Sequence, residues 1–348
     1  MSHKAAFEAL DRTLQDLRGS TDCMGGVTMV LSGDFRQTLP IVPRGTPADE
    51  IKACLKKSLL WAGVRKLSLT TNQRVRLQEG VADSGIFSEA LLRLGNAHHP
   101  LEPDGQFLIP ALIGTVVKTT EELLLKVFPN LAGFLQCPNN QTWLNWLSER
   151  AILAPKNDVV DNINSNILKQ LPGQERCYKS IDTVIETDQA VHYPTEFLNS
   201  LQPPGMPPHN LVLKVGSPIM LLRNIDPPKL CNGTRLCVKH LHPHVIEARI
   251  MTGCAKNEDV FIPRIPIIPS DVPYEFKRLQ FPVRLSFAMT INKAQGQSLK
   301  VAGVDLLNPC FSHGQLYVAC SRVGTNKNLF LLAPNGRTTN VVYQQALE

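Results

Sequence analysis

V-T-M-V-L-S-G-D-F-R-Q-T-L-P, residues 27–40, is the stretch from which the rest of the chain can be read. An apolar run of β-forming residues ends in a small polar turn carrying Gly33, Asp34 and Gln37. Open α/β sheets place ligands at the carboxyl ends of their strands. The turn is therefore positioned for nucleotide chemistry. Gln37 could hydrogen-bond a γ-phosphate or place an attacking water, and Asp34 could orient the loop or a metal-bound water. Gly and Asp are also the default residues of an ordinary β-turn, and on this motif alone both readings stand.

The whole chain has 348 residues, a length that suggests about two domains. Apolar residues make up 43% and charged residues 19%, enough for buried cores and too little charge for wholesale disorder. The net charge is +6, which suits a polyanion partner without establishing one. Part of the excess lies in residues 281–348, where Arg284, Lys293, Lys300, Arg322, Lys327 and Arg337 face only Asp305 and Glu348. The nine cysteines form no C-x-x-C pair, so a reducing compartment is expected rather than a disulfide framework. No metal site is expected, because Cys231, Cys237, His240, His242 and His244 lack the tight cysteine pairs of structural zinc sites. No apolar run reaches the ~20 residues that span a bilayer, and no targeting segment is visible.

Residues 2–18 read as an amphipathic helix through Phe7, Leu10, Leu14 and Leu17, with Gly19 to end it. Val27–Leu31 reads as a buried strand, 49–60 as a helix, 66–70 as a strand and 86–94 as a short helix. A second α/β unit begins near Trp143, with a strand at 151–153 and a helix at 158–168. Residues 193–209 look irregular. From 211 to 266 the pattern is β, with Asn232-Gly233 as a hairpin turn in which both residues tolerate positive φ. Residues 283–288 read as one buried strand, 292–296 as a helix start, 315–321 as a helix and 329–332 as a strand. A small β module is thus expected within the second α/β unit.

Three further segments carry chemistry. Gln73-Arg74-Val75-Arg76 follows a strand, and Arg74 could reach a transferring phosphate as an arginine finger; a surface arginine would look the same. F-A-M-T-I-N-K-A-Q-G-Q-S-L, residues 287–299, sets Thr290, Lys293, Gln295, Gly296 and Ser298 in a polar turn. Thr290 and Ser298 can donate to nucleic-acid phosphates and Lys293 adds charge, while a routine helix cap would use the same residues. Q-L-Y-V-A-C-S-R, residues 315–322, places Tyr317 and Ser321 one helical turn apart with Arg322 beyond them.

Taken in order, S-G-D-F-R-Q-T-L-P (32–40), T-T-N-Q-R-V-R (70–76), A-I-L-A-P-K-N (151–157), L-K-V-G-S-P-I-M-L-L-R-N (213–224), C-N-G-T-R-L (231–236), A-M-T-I-N-K-A-Q-G-Q-S-L (288–299) and H-G-Q-L-Y-V-A-C-S-R (313–322) are collinear with one family. The chain resembles the PIF-type ATP-dependent DNA helicases, a RecD-like branch of superfamily one, in particular the Helitron-related versions. The resemblance implies an α/β fold: part of a first RecA-like lobe of the P-loop NTPase type in 1–94, a second lobe from 95–180 and 281–348, and an inserted small β-barrel module at 181–280. It implies ATP with Mg²⁺ as cofactors, single-stranded DNA as partner, no membrane, and a nuclear or mitochondrial location. It makes Gln37 the γ-phosphate sensor, shaped by Gly33 and Asp34, and Arg74 and Arg322 the two fingers. It sets Thr290, Lys293, Gln295 and Gly296 between nucleotide and DNA. Lys214, Arg223 and Arg235 become backbone contacts from the module.

The sequence also departs from that family. The phosphate-cradling G-x-x-x-x-G-K-[ST] loop does not occur, nor does the acidic pair that would hold Mg²⁺. The expectation is a chain truncated at its N-terminus, lacking much of the first lobe and inactive as an ATPase alone. The alternative is a non-catalytic single-strand-binding remnant of a transposon-encoded helicase.

Overall fold

The structure, a computed structural model, describes residues 1–69, 83–131, 141–185, 193–269, 272 and 275–348. They form two compact units. The first comprises Met1–Leu123, Ala294–Ser298 and Val304–Glu348; the second comprises Leu124–Lys293 and Leu299–Gly303.

The first unit opens with the helix Lys4–Arg18, capped by the His3 ring at its start and ended by Gly19 in the left-handed region. Its apolar stripe is only partly covered, and Leu17 is 78% exposed. The helix Pro47–Ala53 starts from a Thr46/Asp49 capping box. It stops at Cys54, and two short 3₁₀ turns, Leu55–Lys57 and Leu59–Gly63, replace the single helix expected to residue 60. Cys54 and Ser58 both take extended backbone angles, and Ser58 starts the second turn: its hydroxyl accepts from the Leu60 amide and donates to Glu8. Later in the unit, Leu329–Leu332 pairs in parallel with Thr115–Val117, matching Leu331 with Val116.

Val27–Leu31 is not the buried strand its composition suggests. It runs without regular structure, and Val30 is 86% exposed. A strand exists only through its ladder, and no described residue pairs with this run. Residues 66–69 fail as a strand for the same reason, with Leu69 98% exposed; Thr70 lies outside the described residues.

In the second unit, Arg150–Ala154 and Ala288–Thr290 pair in parallel. Ala151 to Ala154 are fully buried, as expected of a parallel strand covered on both faces. The helix Asn157–Gln170 is tied to this pair by Asn164, whose amide donates to the Leu285 and Ala288 carbonyls while its oxygen accepts from the Ala288 amide. The region expected to be β is an antiparallel five-stranded sheet in the order Asp259–Pro263, Val245–Ile250, Arg235–Leu241, Pro218–Leu221, Val283–Leu285. A three-stranded sheet, Ile265–Ile267, Phe276–Gln280 and Ile181–Val184, accompanies it, as does the pair Arg176–Lys179 with Asn210–Leu213. Ile219, Leu221, Leu236, Val238, Ile246 and Phe281 form the centre of its core.

Three readings change here. Residues 283–288 are two strands, because Val283–Leu285 pairs with Pro218–Leu221 and Ala288–Thr290 pairs with Arg150–Ala154. The segment 193–209 contains a helix, Thr195–Ser200. At Cys231–Thr234, closed by the Thr234 amide on the Cys231 carbonyl, Gly233 has φ 92° and Asn232 stays at negative φ. This glycine serves a turn inside a longer connection, and the turn does not join two strands directly.

Candidate nucleotide-sensing site

Asp34 organises the first motif. Its carbonyl accepts from the Gln37 amide at 3.1 Å, and its carboxylate accepts from the Arg36 amide at 3.0 Å. This closed turn aims Gln37 inward within the first unit. The remaining lobe of the Asp34 carboxylate accepts from the Tyr317 hydroxyl at 2.8 Å. Burial, and then the neighbouring Asp34 charge, raise the Tyr317 pKa well above the ordinary tyrosine range, so this hydroxyl keeps its proton. Arg36 bridges the turn to Asn96: its Nε donates to Asn96 Oδ1 at 2.8 Å, and its Nη1 donates to Asp34 Oδ1 at 3.4 Å.

His313 fixes the turn from a second side. Its Nδ1 accepts from the Tyr343 amide at 2.8 Å, so the proton sits on Nε2, which donates to the Phe35 carbonyl at 2.8 Å. Burial lowers its pKa; the Phe35 carbonyl and Asp34 oppose that. Gly314 follows at φ 70°, and a Cβ there would run into the Arg36 carbonyl oxygen and the Gln37 carbonyl carbon. The sequence therefore places a glycine where the backbone of the Asp34–Gln37 turn touches the backbone before the helix Gln315–Cys320.

Gln37 and Arg322 converge on one loop. Gln295 donates from Nε2 to Gln37 Oε1 at 2.8 Å, and its own Oε1 accepts from the Thr38 hydroxyl at 3.0 Å. Arg322, 7% exposed, donates to the Ala294 and Gln297 carbonyls, at 3.4 and 3.1 Å, and to Val318 and the Ser321 hydroxyl. The loop 294–297 thus carries an amide contact from one motif and a guanidinium contact from another. Gly296, at φ 81°, forms its exposed tip beside Ser298, which is also exposed. Gly33 is exposed before the turn. Arg74 lies outside the described residues.

Thr290 and Lys293 belong to the second unit. Thr290 ends its parallel strand, and Lys293 Nζ donates to Asn232 Oδ1 at 2.8 Å. Crowding around the ammonium, then the charges of Arg223 and Arg284, lower the Lys293 pKa. These three cations make a local positive field. Arg223 itself donates to the Gly205 and Leu222 carbonyls and remains partly exposed.

Two expected DNA contacts are corrected. Arg235 is fully buried, and its guanidinium donates to the carbonyls of Leu147, Ser148, Arg150 and Ser286. Burial pulls its pKa down to about 10. Lys214 is 5% exposed, bonded to the Leu171 carbonyl at 2.7 Å and paired with Glu175 at 3.4 Å. Both are internal ties. Nothing next to Lys214 or Arg235 in the sequence marks the distant carbonyls that receive them. His313, Thr38 and Asn96 carry no local mark because their roles depend on partners 30 to 278 residues away in sequence; the one signal is that His313 directly precedes Gly314-Gln315 in the last motif.

The donor set suits the terminal phosphate of a nucleotide, since it offers an amide and a guanidinium around one loop. The Asp34 carboxylate is already engaged by the Tyr317 hydroxyl and the Arg36 amide.

Parallel strand pairs with covering helices and polar loops after the strands define an α/β protein. Its fold matches that of the Pif1 helicase from Bacteroides in complex with ADP-AlF3 and single-stranded DNA, with TM-score 0.64 and 19% identity, over 100% of this chain and 71% of that one. The family model for PIF1-like helicases matches residues 1–104, and that for the DNA helicase Pif1 2B domain matches 196–241. The ATP-dependent DNA helicase PIF1 of Rattus norvegicus is 30% identical over 94% of this chain and 44% of its own length. That of Danio rerio is 25% identical over 93% of this chain and 43% of its own. By sequence and fold the chain is similar to the PIF-type DNA helicases. It spans less than half the length of these two relatives.

Proposed function

We propose that this chain is the nucleotide-sensing and strand-gripping portion of an ATP-dependent 5′-to-3′ DNA helicase of the PIF type. The observation that carries this is the meeting of Gln37 and Arg322 on the loop 294–297. Gln37 would donate to a γ-phosphate oxygen while its other end holds Gln295, so arrival or loss of that phosphate would bear directly on the loop. Arg322 and Arg74 would neutralise charge on the transferring phosphoryl group. Thr290, Lys293, Ser298 and Arg223 would meet the single strand. In this reading residues 1–94 belong to the first RecA-like lobe, 95–180 and 281–348 to the second, and 181–280 form a small barrel over the DNA.

ATP and Mg²⁺ supply the phosphoryl group and its charge neutralisation in such an enzyme. The 348 residues contain no G-x-x-x-x-G-K-[ST] loop, so by themselves they do not turn over ATP and require a lobe that does cradle the phosphates. That same lack favours the second reading, a non-catalytic single-strand-binding remnant of a transposon-encoded helicase. The work site in either case is nuclear or mitochondrial DNA.

One assay separates them. The chain is joined in frame behind the phosphate-loop lobe of a PIF-type relative, and ATP hydrolysis is followed with and without single-stranded DNA. The helicase reading expects DNA-stimulated turnover that falls by roughly 10³ in Arg322→Ala and also falls in Gln37→Ala. DNA binding without turnover would establish the remnant. Appreciable hydrolysis by the unfused chain would overturn its inactivity.

A further inference from the structure

Cys231 and Cys254 are brought to one point by the fold. Each thiol contacts the same oxygen, the Pro228 carbonyl, at 3.7 Å. The two sulfurs are therefore no farther apart than twice that distance. Their surroundings hold them there. Leu230 and Ala255, the neighbours of the two cysteines, are buried in the same hydrophobic core. The ladder between Arg235–Leu241 and Val245–Ile250 leads directly to both turns, since the Met251 amide donates to the Arg235 carbonyl and the Arg235 amide to the Thr252 hydroxyl. Lys229 Nζ bonds Glu258 at 2.8 Å and clips the 226–230 turn onto the turn that follows Cys254.

Chemistry and access also favour reaction. Cys231 is partly exposed and Cys254 is exposed. The Lys229 ammonium, held mainly by Glu258, is close enough to Cys254 to interact with its charge. Gly233 and Gly253 flank the pair, and neither has a heavy atom within 4 Å of where a Cβ would stand, so both turns have room to adjust.

We infer that Cys231 and Cys254 form a reversible disulfide, an oxidative modification site on the turn that also carries Asn232. With a peroxide as oxidant, the Cys254 thiolate attacks one peroxide oxygen. The O–O bond breaks, the departing hydroxide takes a proton to become water, and a sulfenic acid remains. The Cys231 sulfur then attacks that sulfur; the S–S bond forms, the S–O bond breaks, and the leaving hydroxide takes the Cys231 proton as a second water. Two thiols lose two electrons and the peroxide gains them. The bond would tie down the turn whose Asn232 accepts from Lys293. The inference itself needs no assumption about DNA.

Trypsin cuts after Lys229, Arg235, Arg249 and Lys256, which isolates each cysteine in its own peptide, 230–235 and 250–256. The full chain is treated with hydrogen peroxide, alkylated, digested without reductant and mapped by mass spectrometry. The expected result is these two peptides linked within one chain, lighter than their sum by two hydrogens and separated by dithiothreitol. Cys231→Ser and Cys254→Ser each remove the linked species. The inference is overturned if the wild-type chain, still folded by circular dichroism, yields sulfinic acid at the two cysteines separately. It is equally overturned if they link only to Cys177, Cys23 or another copy. The wild-type map decides even if a serine variant fails to fold.

Discussion

Tyr317 and His313 do most of the work of presenting Gln37, although neither would touch a nucleotide. The Tyr317 hydroxyl donates to a carboxylate, a class of bond worth about 1.5–3 kcal/mol. Tyr317→Phe is expected to destabilise the protein by about that amount in urea titration, and in the fused enzyme to lower turnover more than nucleotide affinity. His313 makes stability pH-dependent. Its folded-state pKa lies below the unfolded value, so the unfolded chain takes up a proton first as pH falls. Its contribution is therefore complete above the unfolded value of about 6.5 and lost as pH falls from there through the folded value. His313→Gln, which retains a donor and does not titrate, should lose less stability than the wild type between about pH 7.5 and 5.5. Equal losses would remove His313 as the cause.

At the scale of elements, the second unit is tied together by buried charge. Arg278 and Asp182 are both 0% exposed at their side chains and pair at 2.6 Å across adjacent strands. The same guanidinium donates to the carbonyls of Leu198, Leu201 and Pro207, joining the helix Thr195–Ser200 and the loop after it to the three-stranded sheet. Removing one partner of such a pair leaves the other charge buried, at a cost of about 3–5 kcal/mol. Asp182→Ala should therefore lower the unfolding midpoint sharply, while Arg278→Met with Asp182→Leu should recover much of the loss. Arg235 plays a similar role, binding the helix Gln141–Ser148 and the strand Arg150–Ala154 to the five-stranded sheet through four carbonyls.

At the scale of the molecule, these internal cations change which charges can meet a nucleic acid. Single-strand affinity falls with salt by about 0.7 in slope for each phosphate contact. Lys293→Ala should reduce that slope by about 0.7 without unfolding the protein. Arg235→Ala should unfold it and leave the slope of the surviving folded fraction unchanged. A slope change of the same size for both would contradict the assignment of Arg235 to the interior. Anisotropy with a labelled oligonucleotide across a salt series measures both.

The sequence by itself determined what depends on local pattern. The helix Lys4–Arg18, the strand Arg150–Ala154, the helix Gln315–Cys320 and the β character of 211–266 all follow from spacing, caps and turn residues close in the chain. The motifs around Gln37, Gln295 and Arg322 were legible for the same reason. Tertiary structure alone decided what depends on a partner. Val27–Leu31 has strand composition and no ladder, so it is not a strand. Lys214 and Arg235 are cations in β segments, and only their distant carbonyls turn them inward. The joining of Gln37 to Gln295, and of His313 to Phe35, spans more than 250 residues. Local sequence sets backbone preference, but a hydrogen bond needs both ends, and the far end is delivered by the fold.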